Sequence, residues 1–255
     1  MNIALVDYGA GNLTSVIKGL RAVGGDVHVL SDPTELRRAQ ALVIPGVGHF
    51  EATGALGDEW RAAVRERLDA GVPLLGICLG LQWLFEGSDE APEVPGLGLL
   101  AGRCFHLPDT VKVPHVGWNT LERTAAPSRL LSGMPEGAMA YFTHSFAAPL
   151  VEATAASTTH GAPFTAVIEH GHVFATQFHP EKSGRTGLRL LANFMTAARE
   201  FAGEVAAPKG AARANGAGIT GGPASERVGG SAALDKGSGR PEPDRRAGAK
   251  PPGQD

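Results

Sequence analysis

The sequence predicts an α/β fold, an open mixed sheet with helices on both faces, followed by a disordered tail. Three observations carry that prediction. Short apolar runs of strand character alternate with segments of helical period over residues 2–85, the pattern of a parallel sheet joined by helical crossovers. From residue 102 strand-like segments follow one another directly, which adds an antiparallel extension. Beyond residue 203 the composition shifts to Ala, Gly, Pro, Ser and scattered charge with no aromatic residue, so burial cannot offset the entropy of ordering.

Taken in order, the alternation reads as strand 2–7, helix 12–22, strand 26–30, a short helical piece 33–38, strand 41–45, helix 58–70, strand 74–77 and helix 79–85. Strands follow over 102–106, 138–142, 165–169 and 172–176, the last two joined by a turn at His170-Gly171. Leu188, Leu191, Phe194, Met195 and Ala198 recur at helical spacing and mark a closing amphipathic helix. One domain over 1–203 and a tail over 204–255 are therefore expected, without internal repeats.

Bulk properties exclude several classes of function. A net charge of −3, with no run of Lys or Arg interleaved with aromatics before the tail, leaves nucleic acid without an electrostatic footprint. Two cysteines, Cys78 and Cys104, make no disulfide framework, and residues 1–7 lack the pattern of a signal peptide, so a reducing, cytoplasmic setting is expected. No apolar stretch approaches the ~20 residues a membrane helix requires.

The chemistry concentrates at the ends of the expected parallel strands, where open α/β sheets place their ligands. Gly76-Ile77-Cys78-Leu79-Gly80 joins an apolar strand to a helix, which is the pattern of a nucleophile elbow carrying a thiol. Glycines flank such a turn because a Cβ there meets the neighbouring strand or helix. A buried cysteine after a core strand is more often structural, but those glycines weigh against that reading for Cys78. Cys104, between Arg103 and Phe105 on a strand, has no such context and reads as core.

A thiol nucleophile needs a base, and the base an orienting group. His179-Pro180-Glu181 offers both, since proline biases His179 toward extended backbone, where residues i and i+2 lie on one side. Pro45-Gly46-Val47-Gly48 closes the third strand. Backbone N–H groups of Val47 and Leu79 are candidates for an oxyanion hole. The loop Asp7-Tyr8-Gly9-Ala10-Gly11-Asn12 fails as a dinucleotide site, because Thr14 stands at the third glycine position and Leu30-Ser31 end the second strand without an acid. His115 and His144 lack companion ligands at metal-binding spacing, so no metal and no cofactor are expected.

Together, the Cys78 elbow, Gln82 four residues beyond the thiol, and Phe178-His179-Pro180-Glu181 resemble the class I (triad) glutamine amidotransferases, over residues 1 to about 201. The segments at 7–13, 45–48, 112–119, 141–145 and 177–183 are similar to one branch of that family, the glutaminase subunits of imidazole glycerol phosphate synthases. The resemblance implies a flavodoxin-like fold and a catalytic triad of Cys78, His179 and Glu181 acting on L-glutamine through a thioester. It further implies glutamine contacts from Gly46, Gly48, Gln82, His144 and Ser145. Asn12, Trp118 and Lys182 fall on the implied docking face for a (β/α)₈-barrel synthase (cyclase) subunit, giving a heterodimer that uses the ammonia in histidine biosynthesis. His49 and Thr143 depart from that pattern, which has small or apolar residues there. Two other readings stay open: an amidotransferase subunit of another pathway or a free-standing γ-glutamyl hydrolase with the same triad, and a non-catalytic regulatory protein.

Overall fold

A computed structural model of the chain describes residues 1–125 and 127–206. Its first strand, β1 (Asn2–Val6), pairs in parallel with β2 (Asp26–Leu30) on one side and β3 (Ala41–Ile44) on the other. Parallel pairing continues through β4 (Leu74–Ile77) to β13 (Val173–Thr176). There the direction reverses: β12 (Ala162–His170), β11 (Thr154–His160) and β8 (Glu122–Arg123) extend the sheet antiparallel. The full order is β2-β1-β3-β4-β13-β12-β11-β8. Its first part is the doubly wound 2-1-3-4 order of flavodoxin-like sheets, and the antiparallel extension matches the expectation.

Period two along the strands builds two cores. Ile3, Leu5, Val43, Leu75, Ile77 and Phe174 face one side and pack with Val16 and Leu20 of α1 (Leu13–Ala22) and with Leu191 and Phe194 of α4 (Gly184–Ala206). Ala4, Val6, Leu42, Ile44 and Ala175 face the other. They meet Trp60, Val64 and Leu68, spaced four apart on α2 (Asp58–Asp69), and Leu81 of α3 (Leu79–Trp83). Asn12 caps α1, its Oδ1 accepting from the Ser15 N–H at 3.3 Å. His49, a departure from the expected pattern, caps a 3₁₀ turn over Phe50–Ala55, accepting from the Glu51 N–H at 3.2 Å.

Several expectations are corrected. The helix expected over 79–85 stops at Trp83, and Phe85–Ser88 forms β5, because N–H groups of the loop at 96–99 donate to carbonyls of residues 83–86 and pull the chain out of helix. Strands expected over 102–106 and 138–142 exist as β6 (Leu100–His106) and β9 (Met139–His144) but leave the main sheet. β6 lies between β5 and β10 (Phe146–Ala147) in a three-stranded sheet, and β9 pairs with β7 (His115–Thr120) in a two-stranded one. The polar strand β11 and the strand β7 carry no clean apolar alternation and were not expected. Leu188 is 44% exposed, since Leu190 takes the inward position at the start of α4. The turn at His170-Gly171 is present, with Gly171 at φ +61° between the antiparallel β12 and β13. The tail expected over 204–255 lies, past Ala206, outside the described residues.

Candidate active site

Two glycines make room for the elbow. A Cβ on Gly80 would stand 1.9 Å from the Ile44 carbonyl oxygen, and one on Gly76 would stand 2.8 Å from that of Gly80. Between them Cys78 adopts φ 53°, ψ −102°. It is the single non-glycine residue at positive φ among those described, a strained conformation that persists only where the surrounding structure over-determines it. Its amide donates to the Thr176 carbonyl at 2.7 Å, and its carbonyl accepts from Leu81 and Gln82, so the thiol stands between β4, β13 and α3. Cys78 is buried but not sealed, whereas Cys104 is fully enclosed and burial pushes its thiol pKa well up, in keeping with a core role.

Strand register sets the partner. Ile77 lies beside Thr176 across the parallel β4–β13 pair, so His179, three residues on, reaches the end of the same edge as Cys78. His179 is extended (φ −97°, ψ 100°) as its proline predicts, but Glu181 stands on a 3₁₀ turn, Pro180–Lys182, not on extended backbone. That turn still brings the pair together: Nδ1 lies 2.8 Å from Glu181 Oε1, with both side chains 2% exposed. Helical glycines admit the turn. A Cβ on Gly187 would meet the Pro180 carbonyl oxygen at 1.8 Å, and one on Gly19 of α1 would press on Leu191 at 2.9 Å and Glu181 Cβ at 3.6 Å. Burial by itself lowers the His179 pKa, but the Cys78 sulfur and the Glu181 carboxylate outweigh it and hold the imidazole up at about 10. Nε2, turned away from Glu181, makes no hydrogen bond of full geometry, although Cys78 is near enough to act on the ring. The arrangement suits an imidazolium beside a nucleophilic thiolate.

The oxyanion candidates are not both free. Leu79 N–H donates to the Gly46 carbonyl at 3.4 Å, so an acceptor occupies the place where a tetrahedral oxyanion would be held. Gly48 at φ +99° follows the half-buried Val47, giving the Gly46–Val47 peptide a hinge.

From Cys78 a line of amides and imidazoles leads away through the fold. Gln82 donates to the Phe146 carbonyl at 2.7 Å and lies 3.4 Å from Gln177 Oε1, while Gln177 Nε2 stands 3.8 Å from Cys78 Sγ. His144 Nδ1 donates to the same Phe146 carbonyl at 2.9 Å, because a carbonyl only accepts. His144 Nε2 must then accept from His115 Nδ1 at 3.2 Å, and His115 Nε2 from Asn119 at 3.3 Å. Both rings are thereby neutral. Burial, first of all, lowers His115 to about 4 and His144 to about 3. Ser145 is half-buried between β9 and β10, its carbonyl accepting from Leu107 N–H at 2.9 Å. Gln177 and His115 were not singled out as site residues from sequence. The first stands two residues before His179, which was the signal available; the second shows only through pairing of β7 with β9.

Asn12, Trp118 and Lys182 are exposed. Trp118 packs edge-on against Tyr141, centroids 6.0 Å apart, and reaches over Gly184 just past Lys182, so these two share one face. Among the described residues no helix is long and apolar enough to cross a membrane.

Residues 4–198 match the family model described as "Glutamine amidotransferase class-I". The chain is 47% identical over 196 residues to "Imidazole glycerol phosphate synthase subunit HisH" of Moorella thermoacetica, covering 75% of this chain and 93% of that protein. A protein of the same name from Methanothermobacter thermautotrophicus is 46% identical over 194 residues, covering 76% and 97%. Among solved structures, "Crystal structure of glutamine amidotransferase" aligns at a TM-score of 0.61 and 22% identity, covering 77% of this chain and 98% of that one. "Structure of PurLQS from Thermotoga maritima" gives 0.60 and 18%, covering 76% and 97%. At such identities the structural likeness is one of fold.

Proposed function

The chain belongs to the class I glutamine amidotransferase family, and from that premise we propose that Cys78, His179 and Glu181 are the residues by which it hydrolyses the carboxamide of glutamine. It is an enzyme of histidine biosynthesis, the glutaminase subunit of imidazole glycerol phosphate synthase, and it works with a synthase subunit. The observation that carries the triad is the buried 2.8 Å contact of His179 with Glu181 beside a cysteine held at positive φ.

The Cys78 thiolate attacks the carboxamide carbon, and the carbonyl electron pair moves onto oxygen. Collapse of that tetrahedral species expels ammonia, protonated by His179 Nε2, and leaves a γ-glutamyl thioester. His179, now neutral, takes a proton from water as the water attacks the thioester. Breakage of the C–S bond then returns the thiolate and releases glutamate. Glu181 holds the proton on Nδ1 and balances the imidazolium. Leu79 and Val47 N–H groups stabilise the oxyanion once the Gly46–Val47 peptide has turned, each donor worth about 3–4 kcal/mol. Gly46, Gly48, Gln82, His144 and Ser145 line the glutamine pocket, with Gln177 beside the sulfur.

The synthase subunit is a (β/α)₈ barrel that docks on the face of Asn12, Trp118 and Lys182 and receives ammonia by a sheltered path. Sheltering has a chemical reason: ammonia released into water at neutral pH is protonated and loses its nucleophilicity. The occupied Leu79 N–H supports low glutaminase activity until the partner binds. The test is glutamate release from glutamine by the chain alone and with the barrel subunit plus its nucleotide substrate, with Cys78→Ala as blank. Strong, Cys78-dependent stimulation is expected; equal activity with and without the partner refutes the switch, and none in either condition refutes the triad.

A further inference from the structure

Three buried polar atoms at this site have no hydrogen-bond partner among the described residues: His179 Nε2, Glu181 Oε2 and the Tyr8 hydroxyl. The first belongs to the proton transfers above and the second to the carboxylate that orients it. The Tyr8 hydroxyl has no such use, and an unsatisfied buried hydroxyl is costly enough to call for a reason.

Its position supplies one. A Cβ on Gly46 would lie 2.3 Å from the Tyr8 oxygen, so the hydroxyl rests directly against the Gly46 backbone. Burial, and after it the charge of the nearby Cys78 sulfur, raises the phenol pKa well above its usual value. The group is therefore a proton donor under all working conditions. The Gly46 carbonyl beside it is bound at 3.4 Å to Leu79 N–H, a long bond and the one that obstructs the oxyanion site. Turning the Gly46–Val47 peptide sends Val47 N–H toward the substrate and frees Leu79. It also strips the Gly46 carbonyl of its partner inside a buried site, which opposes the turn unless another donor is at hand.

Resting on the glutaminase reading above, we propose that Tyr8 is a positioning residue: its hydroxyl donates to the Gly46 carbonyl in the turned state and so holds Val47 N–H in the oxyanion site. The resting conformation leaves that hydroxyl unpartnered, and the active conformation satisfies it. Tyr8 thus biases the loop between two arrangements through a bond made in only one of them.

The experiment is Tyr8→Phe, which keeps the ring and removes the hydroxyl, assayed with glutamine in the complex with the synthase subunit, its nucleotide substrate present. The expected result is a fall in kcat of about ten-fold, the size of one hydrogen bond, with KM within about two-fold of wild type. The thermal midpoint of the variant should be unchanged or higher, because the resting fold loses an unsatisfied group. Alkylation of Cys78 by iodoacetamide, which needs the thiolate and no oxyanion hole, should keep its rate. Wild-type kcat in Tyr8→Phe overturns the inference, as does a loss of kcat matched by equal losses in alkylation rate or in stability. If wild type releases no glutamate in the complex, the glutaminase reading falls and this inference with it; if wild type is active and Tyr8→Phe equals it, only this inference falls.

Discussion

Replacing Glu181 by Gln tests the triad most directly. The amide keeps an oxygen for the 2.8 Å contact with His179 Nδ1 but removes the negative charge from a pair whose side chains are 2% exposed. In the native site His179 is held at about 10 against an ordinary 6.5, a difference worth at most roughly 5 kcal/mol. Burial opposes that rise, the Cys78 sulfur is its larger source and Glu181 the smaller. Assigning Glu181 under half, and leaving a neutral hydrogen bond behind, gives roughly 1–2 kcal/mol for the charge alone. Glutaminase kcat in the complex should therefore fall about ten-fold. The pH profile carries a second signature. A raised imidazole pKa keeps the proton for departing ammonia up to high pH, and activity is lost as pH rises through about 10. In Glu181→Gln that upper limb should move to lower pH. The linked stability has the same sign: present below about 6.5, lost between there and about 10, and smaller in the variant. The assay is glutamate release across pH with the synthase subunit present. Wild-type kcat with an unmoved upper limb would refute the role given to Glu181.

Gly80→Ala should prevent the elbow from closing, because its Cβ would stand 1.9 Å from the Ile44 carbonyl oxygen. A loss of about 1–3 kcal/mol or more in urea unfolding is expected, with alkylation of Cys78 no longer selective. His115→Phe keeps the ring stack against His160, centroids 4.1 Å apart, but deletes the donor to His144. Glutamine KM should rise about five- to ten-fold while kcat changes little. Because burial lowers His115 and His144 to about 4 and about 3, wild-type stability should drop as pH falls from 6.5 toward those values, and less steeply in this variant. Trp118→Ala, at a position 52% exposed, should leave the unfolding midpoint near wild type. By calorimetric titration it should weaken association with the synthase subunit roughly thirty-fold, the size expected of an aromatic anchor.

Local sequence determined a great deal here. The elbow needs residues small enough at 76 and 80, and both glycines stand in the chain, so a strand running into a tight turn and helix was readable before any contact was known. The alternation of Ile3 and Leu5 with Ala4 and Val6 likewise announced a strand covered on both faces. His179 and Glu181 are two residues apart, so their meeting is a matter of local backbone, reached through a 3₁₀ turn where extended chain was expected. Tertiary structure decided what sequence distance conceals. Helix 79–83 ends where it does because Leu97, in a later loop, takes the Trp83 carbonyl and its neighbours take those just beyond, and β6 and β9 leave the main sheet because their partners, β5, β10 and β7, come from elsewhere in the chain. The line from Asn119 through His115 and His144 to Phe146, Gln82 and Gln177 joins four separate segments, each unremarkable alone. Strand periodicity and turn chemistry are written in neighbours, and so sequence carries them. Hydrogen bonds between distant segments depend on register and packing, so the buried Tyr8 hydroxyl and the Gly46 carbonyl on Leu79 N–H emerge only when the chain is folded.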